Sequence, residues 1–170
     1  SFTVKIPSLS ARFSVSETFI FASGLLFGPS AGTLTVVLDA LVISFWLDKK
    51  TRSASRVLFN VTAPSIAFWI ACSTFFALAG IAPGEIPPQR LGEVIAPLFT
   101  FALIFFLINT WLVAGALAWE RGLRAPKIWR QSFAIFGINY FVGGSIAILL
   151  VAYTSQINLT VLSILIPLLL

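Results

Sequence analysis

Residues 14–46 read SVSETFIFASGLLFGPSAGTLTVVLDALVISFW. Two apolar runs flank Gly28-Pro29-Ser30, a stretch too short and too rich in helix breakers to be anything but a tight turn. In water such a segment would be a buried hairpin. The rest of the chain is just as apolar, so the reading that fits is two helices inside a bilayer. The second run carries Asp39 near its middle, and a carboxylate at that depth needs a physical reason.

Composition supports the bilayer. Of 170 residues, 58% are hydrophobic and only 10% charged, with a mean hydropathy of +1.00. A soluble domain carries roughly 25% charged residues, which excludes an ordinary water-soluble fold. No long polar linker divides the chain, so a single membrane-embedded domain over 1–170 is expected. The start resembles neither a signal peptide nor a transit peptide, and Ile166-Pro167-Leu168-Leu169-Leu170 stops inside an apolar run. The expectation is a domain excised from a longer protein.

Several chemistries drop out on residue type alone. The chain has no histidine, which excludes Ser-His and Cys-His nucleophile pairs, HExxH zinc sites, histidine-held haem and phosphoacceptor histidines. Cys72 is the one cysteine; it can form no intramolecular disulfide and reads as a small buried hydrophobe. No Gly-rich phosphate loop, metal cluster or nucleic-acid patch is present. The domain is therefore expected not to be an enzyme, to need no cofactor or metal and to bind no nucleic acid; any catalysis would lie in a fused domain.

Along the chain, residues 1–13 (SFTVKIPSLSARF) read as an extended or interfacial lead-in. Ser14 or Ser16 can cap a first helix, with Glu17 a first-turn acid at the interface that suits the helix dipole. That helix ends near Phe27 and is short for a hydrocarbon core about 30 Å thick. The second runs from about Ala31 to Leu47. Uncharged spans follow at Val57–Ala79, with Pro64 as a kink near its start, and at Val94–Trp119, with Pro97 in its first turn. A fifth run covers Gln131 to about Tyr153, and a truncated sixth Leu159–Leu170. The expected fold class is all-α: a polytopic transmembrane bundle of about six spans, the first short and the last cut off.

Basic residues give the orientation. Lys49, Lys50, Arg52 and Arg56 lie in one connection, and Arg121, Arg124, Lys127 and Arg130 in another, two spans later. Both can face the cytoplasm, as the positive-inside rule requires. Parity then puts Ser1–Phe13 inside, the Gly-Pro-Ser turn outside and the C-terminus in the cytosol.

Asp39, Asn109 and Asn139 are the polar residues of greatest interest. At ~1.5 Å per residue from the cytoplasmic helix ends, they lie about 12, 15 and 12 Å deep. No Lys or Arg falls within a span to neutralise Asp39, which is then either protonated or hydrogen-bonded to the two amides in a wet cavity. One reading is a polar ligand pocket or a proton-sensitive switch; the other is a structural hydrogen-bond clamp between helices. Asn60, nearer a helix end, and Glu17 are weaker candidates for the same role. An intramembrane aspartyl protease needs two such acids, and only Asp39 qualifies.

Gly24 and Gly28 form a GxxxG pair, and Ala114 and Ala118 a small-xxx-small pair; both permit close helix approach, chiefly within the bundle. Trp119 and Trp129 flank the second basic segment as interfacial anchors. The two Asn-x-Thr triplets, at Asn60 and Asn158, read as chance matches to the glycosylation pattern.

These residues also resemble a family. Ser16-Glu17-Thr18-Phe19, Leu25-Leu26-Phe27-Gly28-Pro29, Arg56-Val57-Leu58-Phe59-Asn60, Asn109-Thr110 and Trp129-Arg130 look like the N-terminal membrane module of bacterial signalling proteins. These are the MASE-type membrane-associated sensor domains that precede HD-GYP phosphodiesterase, diguanylate cyclase and histidine kinase domains. The resemblance implies a multi-pass module in the bacterial inner membrane that relays a ligand, lipid or membrane-state signal to a fused cytosolic domain. The lipid bilayer and that domain are the implied partners, and a homodimer and a small-molecule ligand are compatible with it. The family supplies no ligand residues to carry over, and Asp39 is not part of its pattern. The Leu-Leu-Phe-Gly-Pro-x-x-Gly turn, with Ile6-Pro7 upstream, is also similar to the substrate-binding S-components of energy-coupling-factor vitamin transporters. That is the alternative function, and kinship of fold would not make the two functions one.

Overall fold

The computed structural model describes residues 10–47, 53–86, 91–132 and 137–154. They form six α-helices: α1 (Ser10–Phe27), α2 (Pro29–Val42), α3 (Ala54–Ala79), α4 (Leu91–Arg121), α5 (Ala125–Ser132) and α6 (Gly137–Thr154). A π-helical turn, Ile43–Leu47, extends α2. The described residues contain no strand.

The opening stretch folds as an antiparallel helical hairpin whose turn is a single residue. Gly28 donates its N–H to the Gly24 carbonyl at 2.8 Å, closing α1, and accepts from the Gly32 N–H at 3.0 Å, opening α2. This requires φ +91° at Gly28, a region that side chains with a Cβ avoid. Pro29 then suits the first position of α2, where no N–H is needed. Pro29 and Ser30 therefore belong to the helix and not to the turn.

Glycine also ends α3 and α4. Gly80 adopts the left-handed conformation and donates to Phe76 O at 3.0 Å. Gly122, at φ +63°, lets the Leu123 N–H reach back to Ala118 O at 3.0 Å, a Schellman closure. These two stops close the two longest helices.

Packing follows a closed order: α1 lies against α2 and α6, α2 against α3, α3 against α4, and α4 against α6, while α5 rests on α4 alone among its main partners. The centre is aromatic. Phe21 of α1 meets Phe101 edge-on at 4.7 Å and Phe105 at 5.7 Å, and Phe68 of α3 meets Phe101 at 5.4 Å and Phe105 at 5.5 Å. Phe21, Phe68, Phe75 and Phe101 are fully buried. Edge-to-face geometry adds to simple area burial for such rings.

The outside of the bundle is as apolar as the inside. Leu34, Leu38 and Val42 form an exposed stripe along α2, and Leu58, Ile66, Trp69 and Leu78 on α3 and Ile95, Phe99, Trp111 and Leu112 on α4 are also exposed. A helix bundle built for water would carry charge there. Two helices, α3 of 26 residues and α4 of 31, are long and apolar enough to cross a membrane. At ~1.5 Å per residue they span roughly 39 and 46 Å. Thr18–Phe27, Pro29–Phe45 and Tyr140–Tyr153 are shorter apolar helices; the expected sixth run lies outside the described residues.

Several sequence expectations need correction. Helix α1 begins at Ser10, so Ser14 and Ser16 are interior positions and not its N-cap. Glu17 likewise lies within the helix, and the first turn of α1 holds no acid. Nothing between Ser10 and Ser16 breaks a helix, and serine is only mildly unfavourable inside one. Helix α3 starts before Val57 and runs through Pro64, which sits in its interior and not near its start. Pro97 falls in the second turn of α4, because that helix starts at Leu91. The fifth run does not begin at Gln131: residues 125–132 form the separate helix α5.

Candidate functional site

Helix direction places Arg56 and the second basic segment at one end of the bundle. Arg56, in the first turn of α3, forms an ion pair with Glu120, in the last turn of α4. Helices α3 and α4 are antiparallel, so this pair ties the start of α3 to the end of α4 across 64 residues. Both side chains are about half exposed, which makes the pair worth little in net energy. Its value is positional.

Beside it, α5 docks on α4. Ile128 is buried against Ala114 and Ala118, with Leu117, Ala125 and Trp129 around them. The small-xxx-small pair thus receives a helix of the same chain. Trp129 stacks on Trp111 at 5.5 Å and 11°, and its indole N–H donates to Thr110 Oγ1 at 2.8 Å. Thr110 is itself buried and donates to Phe106 O at 2.6 Å. Trp129 is therefore half-buried against its neighbour, whereas Trp119 stands 92% exposed. Of the two tryptophans expected as interfacial anchors, only Trp119 projects freely outward.

The opposite end is closed by the connection after α3. Gly84 N–H donates to Leu25 O at 2.9 Å, and a Cβ on Gly28 would come within 3.1 Å of Pro83 Cγ. The connection therefore sits directly against the α1–α2 turn. Helix α6 runs antiparallel to α4, since Tyr140 meets Phe105 and Phe106 while Phe141 stacks on Phe99 at 4.6 Å. Its last residues thus approach this same end.

The polar candidates distribute as follows. Asn109 is half-buried and its side-chain amide donates to Tyr140 Oη at 3.2 Å, joining α4 to α6. Asn139, the residue before Tyr140, lies in α6, and its side chain is outside the described residues, as is that of Glu17. Asn60 is exposed on α3. Asp39 is half-buried on α2 and is engaged by a neighbour. The main partners of α2 are α1 and α3, whereas those of α4 are α3, α5 and α6. Equal depth does not fix direction around the helix axis, and Asp39 and Asn109 lie on helices with different surroundings.

Three features escaped the sequence reading. Gly32 packs where α1 and α2 touch: a Cβ there would meet Phe68 Cε1 at 2.5 Å and Gly24 Cα at 2.7 Å. The four-residue spacing Gly24, Gly28, Gly32 is its signal. Ser23 and Thr35 share a hydrogen bond at 2.8 Å across the same hairpin. The hydroxyl of Ser44, in the π-helical turn, is buried without a hydrogen-bond partner among the described residues. Cys72 is buried and unpaired, with its sulfur near Gly24, in line with a packing role.

Among the described residues no three His, Cys, Asp or Glu side chains gather as a metal site. Comparison with family models, curated proteins and solved structures finds no match.

Proposed function

We propose that this chain is a polytopic inner-membrane domain of about six spans that serves as a sensory input, passing a ligand, lipid or membrane-state signal to a cytosolic output domain. One observation carries the membrane part: the Arg56–Glu120 pair brings the start of α3 to the end of α4, where Arg121, Arg124, Lys127 and Arg130 lie, on a bundle with many exposed apolar side chains. That charge arrangement suits a cytoplasmic face. The signalling part is supported by the resemblance to MASE-type sensor modules and by the parity of the spans, which delivers the C-terminus to the cytosol. A stimulus must favour one packing of the helices over another, because equal affinity for both shifts nothing.

Paired reporters, one active only in the cytosol and one only outside it, test the topology. Fused after Leu170, the cytosolic reporter is expected to be active and the other silent. Fused after Arg121 the pattern is the same, and after Gly80 it reverses. An external signal after Leu170 would overturn the parity and the relay built on it. A cytosolic end in a parent gene that stops soon after, beside genes for an ATPase pair, would favour the transporter-subunit reading.

Asp39 is tested separately. The isosteric change Asp39→Asn is expected to leave helix content unchanged and to alter the output response of the full-length protein. An unaltered response would reduce Asp39 to a packing residue.

A further inference from the structure

We propose that α5 and the turn leading into it bind the headgroups of anionic phospholipids, an inference that rests on the membrane reading above.

Helix α5 has two unlike sides. Ala125, Ile128 and Trp129 pack on α4, and at about 100° per residue Lys127 and Arg130 fall together on the opposite side. Both are exposed, as are Arg121 at the end of α4 and Arg124 in the turn between the helices. None of these four cations forms an ion pair or a side-chain hydrogen bond among the described residues. From Val94 to Leu170 the one acid is Glu120, and Arg56 engages it. The chain therefore gathers four positive charges at one place and answers none of them.

The docking of α5 selects the occupant. Trp129 donates to Thr110 and stacks on Trp111, which lie about 15 Å back along α4 from its last residue. Helix α5 thus folds back along the flank of α4 and does not project from its end. Trp111 and Leu112 remain exposed on that flank, and Trp119 and Leu123 are exposed close to Arg121 and Arg124. Cations set among exposed tryptophan and leucine match a lipid, whose phosphate meets the charge while its chains meet the apolar side chains. An acidic protein segment satisfies the charge alone. The apolar side of α5 is already spent on α4, so charge carries the discrimination between lipids. A headgroup with a net negative charge is favoured, and a zwitterionic choline headgroup brings its own cation toward four others.

The test uses the full chain purified in mild detergent with equal amounts of phosphatidylglycerol and phosphatidylcholine, read by native mass spectrometry. Bound lipid is expected to be mainly phosphatidylglycerol. Lys127→Gln and Arg130→Gln should each lower that preference about fivefold, the effect of one cation near an anionic surface. Both side chains are exposed, and circular dichroism checks that helix content is kept. Lys49→Gln combined with Lys50→Gln removes two charges from the other basic connection and should leave most of the preference in place. Joint loss of Lys127 and Arg130 should abolish it. An equal loss from the two double variants would mean that net charge and not α5 selects the lipid, and would overturn the proposal. Equal retention of the two lipids by the unaltered chain would also overturn it and leave this face to an acidic protein segment. Neither result touches the membrane reading. Its own failure would show as a chain that alkaline carbonate strips from membranes before any lipid is tested.

Discussion

Gly32→Leu is expected to leave no folded bundle, and Gly32→Ala to destabilise it measurably. An ideal Cβ at Gly32 falls 2.5 Å from Phe68 Cε1, 2.9 Å from Phe68 Cζ and 2.7 Å from the Cα of Gly24. The last contact is backbone, so only separation of α1 from α2 relieves it. Nor can the Phe68 ring move far, since it is fully buried among Phe21, Phe101 and Phe105. Overpacking by a methyl or more costs about 1–3 kcal/mol where the core cannot adjust, and leucine adds three further carbons. Gly92 and Gly115 supply the control, because a Cβ at either meets nothing within 4 Å. Alanine at those helical positions should be neutral or stabilising by up to ~1 kcal/mol. Unfolding of the purified protein in mixed micelles, followed by circular dichroism, ranks the variants. If Gly32→Ala unfolds at the same denaturant fraction as Gly115→Ala, the close approach of α1 and α2 is refuted. Phe68→Leu, which trims the ring edge, should recover part of the Gly32→Ala loss but not that of Gly32→Leu.

Phe101→Ala is expected to be the most damaging truncation in the core. Phe101 is fully buried on α4 and touches Phe21, Phe68 and Phe75 from two other helices. In water such a change costs about 3–5 kcal/mol, the sum of a transfer term and a cavity term. Lipid is as apolar as this core, so little transfer term operates between helices in a bilayer. What remains is lost dispersion and ring-edge contact around a cavity, about 2–3 kcal/mol. Phe99→Ala offers the contrast: Phe99 is 55% exposed and its main ring partner is Phe141, so its loss should stay below ~1.5 kcal/mol. The same micelle titration measures both. A Phe99→Ala loss as large as that of Phe101→Ala would mean that the aromatic centre does not hold the bundle together.

Asp39 and Asn109 show how far depth alone carries a sequence argument. Residue count from a helix end gives depth, because the rise per residue is constant. It gives no direction around the axis once the neighbours of that helix are unknown. Asn109 turns to Tyr140, a partner 31 residues away that its own sequence context does not indicate. Gly28 behaves differently. Its turn was legible because a single residue of positive φ followed by proline leaves the chain few alternatives. Gly24 was legible as a packing residue, yet its counterpart across the hairpin is Gly32 and not Gly28. The GxxxG pattern identified a contact surface without saying which member faces the neighbouring helix.

The helix ends at Gly28, Gly80 and Gly122, the apolar character of every long segment and the two basic connections are set by the sequence itself. Each follows from a local preference or from a sum over a segment, and neither depends on distant residues. The tertiary structure alone decides that α5 is a separate helix docked on Ala114 and Ala118, that Phe68 fills the space left by Gly24 and Gly32, and that Arg56 meets Glu120. In a chain with little amphipathic pattern, one apolar face reads like another. Which faces meet is fixed by the fit of small residues against large ones, and that fit exists only once the helices are brought together.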